Sequence, residues 1–202
     1  MRCLIILLVT LNFSLAILGQ TNYEDSLEQE RISYKQKMLE TDKVLNKKEQ
    51  LGIESLAYFE IDTSWILKGE LIKDKGKKFK MPTSTEREPI YRRYGWVCFE
   101  HDDLKFRLAV YQNLGLKDKK YKHYLFLPFK DANAPEITYG AGRYVELYKK
   151  KKSGTITVDF NAAFNPYCVY SHRYSCPVTP EVNHLDFVIE AGEKNPVLKR
   201  TD

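Results

Sequence analysis

Histidine and cysteine are scarce, at four residues each in a chain of 202. Cys3 falls in the opening segment, so thiol or metal chemistry in the body of the chain must draw on Cys98, Cys168 and Cys176. Long apolar runs are missing after residue 20, and no later segment is expected to cross a membrane. Also missing is a glycine-rich loop set between a strand and a helix, the ordinary phosphate cradle. The nearest approach, "YGAGRY" at 139–144, runs straight into the strand-like "RYVELYK". No internal repeat is present. Nor is there a strong excess of charge: the formal balance is +5, and the lysines gather in "KDKGKKFK" (73–80), "KDKKYK" (117–122) and "KKKK" (149–152). These are three separate places where turns are expected. A nucleic-acid binder would set its basic residues on one face with stacking aromatics between them, so no nucleic-acid partner is expected.

What is present begins with "MRCLIILLVTLNFSLAILGQ", residues 1–20, in which Arg2 precedes an apolar run ending near Ala16 and Gly19. This reads as a secretory signal peptide cleaved between about residues 16 and 21. The protein is therefore expected in the periplasm or outside the cell. Cleavage would remove Arg2 and no acid, lowering the formal charge from +5 to +4.

Residues 21–50 contain no glycine or proline, and Leu27, Ile32, Met38, Leu39, Val44 and Leu45 recur at roughly helical spacing, predicting one long helix or two short ones. From 51 to 202 the period changes. "YFEI", "WILKGELI", "WVCFEH", "LKFRLAVYQ", "HYLFLPF", "RYVELYK", "GTITVDF" and "LDFVIEAG" are short, aromatic and β-branched, and turn signals separate them. The expected fold is mainly β, an antiparallel β-sandwich or small β-barrel with an N-terminal helical segment. In "LKFRLAVY", Leu104, Phe106, Leu108 and Val110 share one face and Lys105 and Arg107 the other, so one face of the sheet is expected to be wet.

Three stretches between strands are too rich in special residues to be plain linkers. "MPTSTEREPIYRRYG" (81–95) crowds Arg87, Arg92 and Arg93 beside Tyr91 and Tyr94; "DANAPEITYGAGRYVEL" (131–147) carries Tyr139, Arg143 and Tyr144; "DFNAAFNPYCVYSHRYSCP" (159–177) carries Asp159, Asn161, Asn165, Tyr170 and Tyr174. Gly140 and Gly142 permit a bulge or a positive φ that would aim Arg143. Arg143 presents a rigid fork either to a ligand anion or to a carboxylate such as Asp159 or Glu136. Asp159, at a strand end, is placed to cap the following turn.

Cys168 and Cys176 frame a short loop, and an exported chain meets an oxidising compartment, so a disulfide between them is the first expectation. Closing a loop of this size contributes roughly 2.5 kcal/mol in the chain-entropy model. Two rivals use the same residues. Zinc held by Cys168, His172, Cys176 and His184 would need closer thiolate spacing, and no metal or cofactor is expected. A hydrolase could use Cys168 with His172 or His184 as base and Asn183 as orienter, or Asp159 with a tyrosine.

"MPTSTEREPIYRRYG", "LFLPFKDA", "TYGAGRYVEL", "DFNAAFNPYCVYSHRYSCP" and "AGEK" together resemble, in that order, the signatures of the bacterial family of unknown function DUF1684, over roughly residues 25–195. The resemblance falls on Arg92, Arg93, Tyr94 and Gly95; on Tyr139, Gly140, Gly142, Arg143 and Tyr144; and on Asp159, Asn161, Asn165, Pro166, Cys168, Tyr170, Tyr174, Cys176 and Pro177. It implies no established activity. Where this chain has His172 the family pattern more often has proline, which counts against roles for His172 in zinc binding or catalysis. The reading that gathers these residues is a binding module for a small anionic ligand. Arg92, Arg93 and Arg143 would hold the anion, Tyr94, Tyr139, Tyr144, Tyr170 and Tyr174 would line the walls, and Asp159, Asn161 and Asn165 would supply hydrogen bonds.

Overall fold

Strand β4, Ile90–His101, is the spine of the molecule, and almost everything else is arranged by what pairs with it. The structure is a computed structural model, and residues 22–101, 103–150 and 154–199 are described. The signal-like segment and Lys151 and Lys152 of the third lysine run lie outside those residues.

The chain divides into two units, residues 1–46 and 47–202. In the first, helix α1 spans 22–39, with Leu27, Arg31 and Met38 buried and most positions between them exposed. The Thr41 hydroxyl donates to the Lys37 carbonyl at 2.8 Å where the helix stops.

The second unit opens with a short helix, α2 (Lys47–Leu51), and continues as β1 (Ile53–Ser55), β2 (Ile66–Lys73), β3 (Lys78–Lys80), β4, β5 (Leu104–Asn113), β6 (Tyr124–Phe129), β7 (Arg143–Tyr148), β8 (Thr155–Asp159) and β9 (Val197–Leu198). Seven strands form one curled antiparallel half-barrel in the order β7-β6-β5-β4-β2-β8, with β3 also on β4. β1 and β9 make a separate two-stranded ribbon. The fold is mainly β, with helix at the N-terminal side.

Alternation sorts the side chains. Leu67, Leu71, Val97, Phe99, Leu108, Val110, Leu125, Leu127, Val145, Leu147, Ile156 and Val158 point inward into one core cluster with Phe129 and Phe160. The outer face is wet only in part. Along β5, Lys105 and Arg107 are exposed as alternation predicts, but Ala109 and Tyr111 on the same face are buried. They belong to a second cluster with Met81, Tyr91, Phe126 and Tyr144, against which Phe164 also packs. The loops that carry the special residues thus roof half of the outer face.

Arg92, Arg93 and Tyr94 lie within β4, not in a loop as their surroundings suggested. The register on β5 shifts between Arg93 and Gly95. A Cβ on Gly95 would sit 2.2 Å from the Ile72 carbonyl oxygen, so β2 can lie this close only against glycine.

Two expected strands form no ladder. "YFEI" makes a single bridge, Tyr58 to Glu193. "LDFVIEAG" runs extended because side chains take its backbone groups: Ile189 N donates to Asp131 Oδ2 at 3.1 Å, and the Ile189 carbonyl accepts from Arg143 at 3.1 Å.

Candidate functional site

The three special loops do meet, and they meet on the outer face around two sulfurs. Thr83 bridges to Pro177. Ser84 N donates to the Cys176 carbonyl at 2.8 Å, Cys176 N to Ser84 Oγ at 3.1 Å, and Val178 N to the Pro82 carbonyl at 2.8 Å. Arg87 Nη2 donates to the Ser175 carbonyl at 2.6 Å. The middle loop arrives through Tyr144, whose hydroxyl donates to the Pro177 carbonyl, and through Tyr139, close enough to Cys168 for each to shift the other's ionisation. From α2, Glu49 grips the intervening bend, accepting from Arg173 Nη2 at 2.8 Å, from Arg173 Nε at 3.2 Å and from Ser171 Oγ at 2.5 Å.

Cys168 lies on a tight 3-10 turn, Tyr167–Val169, entered through Pro166, whose fixed φ sets the turn's first residue. Cys168 and Cys176 are free thiols, so the expected disulfide is not formed in this structure. They are hydrogen-bonded neighbours all the same, with Cys168 N donating to Cys176 Sγ at 3.3 Å. Cys168 is half-buried and Cys176 buried.

Donation from the Cys176 thiol, then from Ser84 and Tyr139, outweighs burial and brings the Cys168 thiol down to about 6. Cys176 moves the other way, since its proton serves Cys168 and burial opposes its ionisation. Burial, and then the neighbouring Cys168, pushes Tyr139 up to about 12, so its hydroxyl keeps the proton it donates.

A second polar cluster is built on Arg143 and is sealed. Gly142 holds φ +96°, as its place before Arg143 suggested, and a Cβ there would meet Thr179 Oγ1 at 2.4 Å and the Phe129 carbonyl oxygen at 2.5 Å. Arg143 is completely buried. Its guanidinium donates to Asp131 Oδ1 at 3.3 Å and to the carbonyls of Ile189 at 3.1 Å, Ala191 at 2.5 Å and Glu193 at 3.1 Å. Cζ lies 5.0 Å from the Phe129 ring centroid. Burial lowers its pKa, and the charges of Asp131 and Glu193 oppose that. Its carboxylate partner is Asp131, in place of the expected Asp159 or Glu136. Glu193 extends the cluster, accepting from Asn165 N at 2.7 Å and from the Tyr170 hydroxyl. Asn165 Nδ2 reaches Tyr170 Oη at 3.2 Å and the Lys194 carbonyl at 2.7 Å.

The expected anion cage is therefore not one site. Register carries the level of Arg92 through Gln112 and Leu125 to Leu147, four positions from Arg143. The two arginines lie about 13 Å apart along the strands and about 14 Å across them. Arg93 is committed to Asp74 Oδ2 at 2.6 Å, an oxygen it shares with Trp96 Nε1. Tyr94 is buried in the inner core and Tyr144 in the outer one. Asp159 Oδ1 caps its turn, accepting from Asn161 N at 2.9 Å, and Asn161 pairs with the backbone of Asp62. Tyr174 packs against Tyr167 in a tilted pair, with ring centroids 5.1 Å apart.

The hydrolase trio does not form either. Asn183 spans Ala109 and Pro128 with its whole amide, and His184 Nε2 bonds the Thr179 carbonyl at 3.2 Å. His172 is exposed. Among the described residues no three of His, Cys, Asp and Glu gather as for a metal ion.

Residues that sequence reasoning did not single out are Ser84, Asp131 and Glu193. Ser84 was one hydroxyl among several in "TSTE". The one signal for Asp131 was a carboxylate one residue beyond the apolar "LFLPF", after Lys130.

Residues 52–194 match a family described as "Protein of unknown function (DUF1684)". No curated protein matches. Among solved structures, an uncharacterized protein of Haloarcula marismortui, determined in solution by NMR, is 26% identical with a TM-score of 0.64, covering 87% of this chain and 96% of that one.

Proposed function

The chain belongs to this family of unknown function, and from that premise we propose that it is an exported module whose loop junction works through the thiolate of Cys168. One observation carries the proposal: Cys168 is half-buried where the three special loops meet, its amide donating to Cys176 Sγ at 3.3 Å, and the donor groups of Ser84, Tyr139 and Cys176 around it favour its thiolate. A thiol kept only for packing needs no such donors, whereas a nucleophilic cysteine needs its anion stabilised. Export rests on the opening twenty residues. With no histidine among the groups that bond Cys168, hydrogen bonds to the anion stabilise the thiolate without a general base.

The experiment is alkylation by iodoacetamide across pH 5–9, mapped by peptide mass spectrometry. Cys168 should react with a midpoint near 6, against about 8.5 for an ordinary thiol. Cys168 reacting no faster than Cys98 at pH 6.5 would overturn the reading.

Arg92 supports a second reading, a small anionic ligand at the opposite end of the sheet. Its buried Nε has no hydrogen-bond partner among the described residues. Gln112, its register partner, lines a cavity of about 200 Å³ with Asn113, Lys117, Tyr121 and Lys122. Phosphate should raise the melting temperature of the protein but not of Arg92→Ala.

A further inference from the structure

Building on the thiolate reading, we propose that Cys168 and Cys176 form a redox-active dithiol that exchanges with disulfides, Cys168 attacking and Cys176 resolving. The geometry assigns these roles. Cys168 is half-buried, on a tight turn at the junction's surface, and Cys176 lies beneath it, buried and in hydrogen-bond contact. An incoming disulfide can therefore reach Cys168 first. Once Cys168 is in mixed-disulfide form, Cys176 already stands beside it to attack.

The carbonyl and amide of Cys176 are held by Ser84, and the bend at Ser171 and Arg173 is held by Glu49. The backbone of Cys176 and of the segment between the two cysteines is thereby held, and approach of the sulfurs is left to the side chains. The lowered pKa of Cys168 and the raised one of Cys176 fit the same division of labour.

Cys168 thiolate attacks one sulfur of R–S–S–R′, forming Cys168–S–S–R and releasing R′–S⁻, which takes up the proton given up by Cys176. Cys176 thiolate then attacks Cys168 Sγ, forming the Cys168–Cys176 bond and releasing R–S⁻, which is protonated by solvent. Two electrons pass from the dithiol to the disulfide. The co-reactant is a low-molecular-weight disulfide or an exposed disulfide of another protein. Tyr139 and Ser84 are positioning residues that hold the attacking anion. Cys98 is an internal control: it lies within β4, opposite Arg107 and Glu70, with no second cysteine at its register partners.

The test starts from the reduced protein, adds oxidised glutathione as probe, quenches with acid and reads intact and peptide masses. Wild type should lose two hydrogens across the peptides holding Cys168 and Cys176, retain no glutathione there, and return to the dithiol in excess reduced glutathione. Cys176→Ser, and Cys176→Ala as a check on folding, should instead keep glutathione on Cys168. Cys168→Ser should slow adduct formation at the junction by at least about tenfold, because the thiolate fraction of the attacking cysteine sets the rate.

A pair that stays reduced while Cys98 takes up glutathione would overturn the proposal. So would a Cys168–Cys176 bridge that, once closed, does not reopen in excess reduced glutathione, since that bridge is a static staple. Iodoacetamide separates the two readings. Rapid alkylation of Cys168 at pH 6.5 without closure by glutathione removes the exchange and leaves the thiolate; alkylation no faster than that of Cys98 removes both.

Discussion

Arg143 and Cys168 both draw on the middle special loop, through Asp131 and Tyr139, yet the protein treats them in opposite ways. Arg143 is driven fully inside, and its cost in lost hydration is met by Asp131 and carbonyls of the segment from Ile189 to Glu193. Cys168 stays at the surface, and its donors favour the ion over the neutral thiol. The first cluster uses polarity to fix the path of the chain; the second uses it to prepare a group for reaction. Residue type alone does not separate them, because both draw on tyrosine, a hydroxyl residue and a turn.

The comparison breaks most visibly at Arg143. Arg143→Ala leaves Asp131 buried without its cation and should cost about 3–5 kcal/mol, read by denaturant titration. Arg143→Lys should recover little of this, since an ammonium cannot span the same acceptors. At pH 6, Cys168→Ala should stay within about 1 kcal/mol of wild type while abolishing alkylation at the junction. Equal losses from the two would erase the distinction.

Gly142→Ala comes next. It forces a left-handed backbone on a residue whose Cβ has no room, and should cost at least about 2 kcal/mol. The same substitution should leave the pH midpoint of Cys168 alkylation near 6 if the clusters are separate.

pH offers a gentler cut. The folded Cys168 ionises near 6 and an unfolded cysteine near about 8.5. The stability it contributes is present above the unfolded value and is lost as pH falls through the folded one. Cys176 is shifted upward, so its contribution is fully present below about 8.5 and is lost as pH rises beyond that. The denaturation midpoint of the reduced protein should therefore rise from about pH 6 to about 8.5 and then decline. Cys168→Ala/Cys176→Ala should flatten this profile. The smallest effect belongs to Arg93→Ala, whose half-exposed pair with Asp74 should be worth within about 1 kcal/mol in a melting curve.

Much of the fold was legible. Six of the expected strands are real: alternation between an inner apolar face and an outer one marks β2, β4, β5, β7 and β8, and β6 is a short apolar run buried on both faces. "LDFVIEAG" alternates as well and is not a strand, since Arg143 and Asp131 satisfy backbone groups that a neighbouring strand would otherwise take. No local pattern encodes a partner some fifty residues away. β1, β3 and β9 went unseen because three residues or fewer carry no period.

At the site, residue types pointed to the right loops but not to roles. Asn161 and Asn165 look like ligand donors in sequence and hold backbone in space. Asp159 as a turn cap was readable, because a strand end followed by free amides leaves a carboxylate little else to do.

The β1–β9 ribbon has a topological meaning. Ile53 pairs with Leu198, and Lys199 N reaches the Gly52 carbonyl at 3.1 Å, so the two ends of the β-rich unit lie side by side. A short linker could join residues 52 and 199, and new ends could be opened at the exposed turn 115–118 without breaking a strand. The order in which the strands emerge during synthesis would then change while every pairing stayed the same. Such a rearranged chain would measure how far this sheet depends on its sequence of arrival.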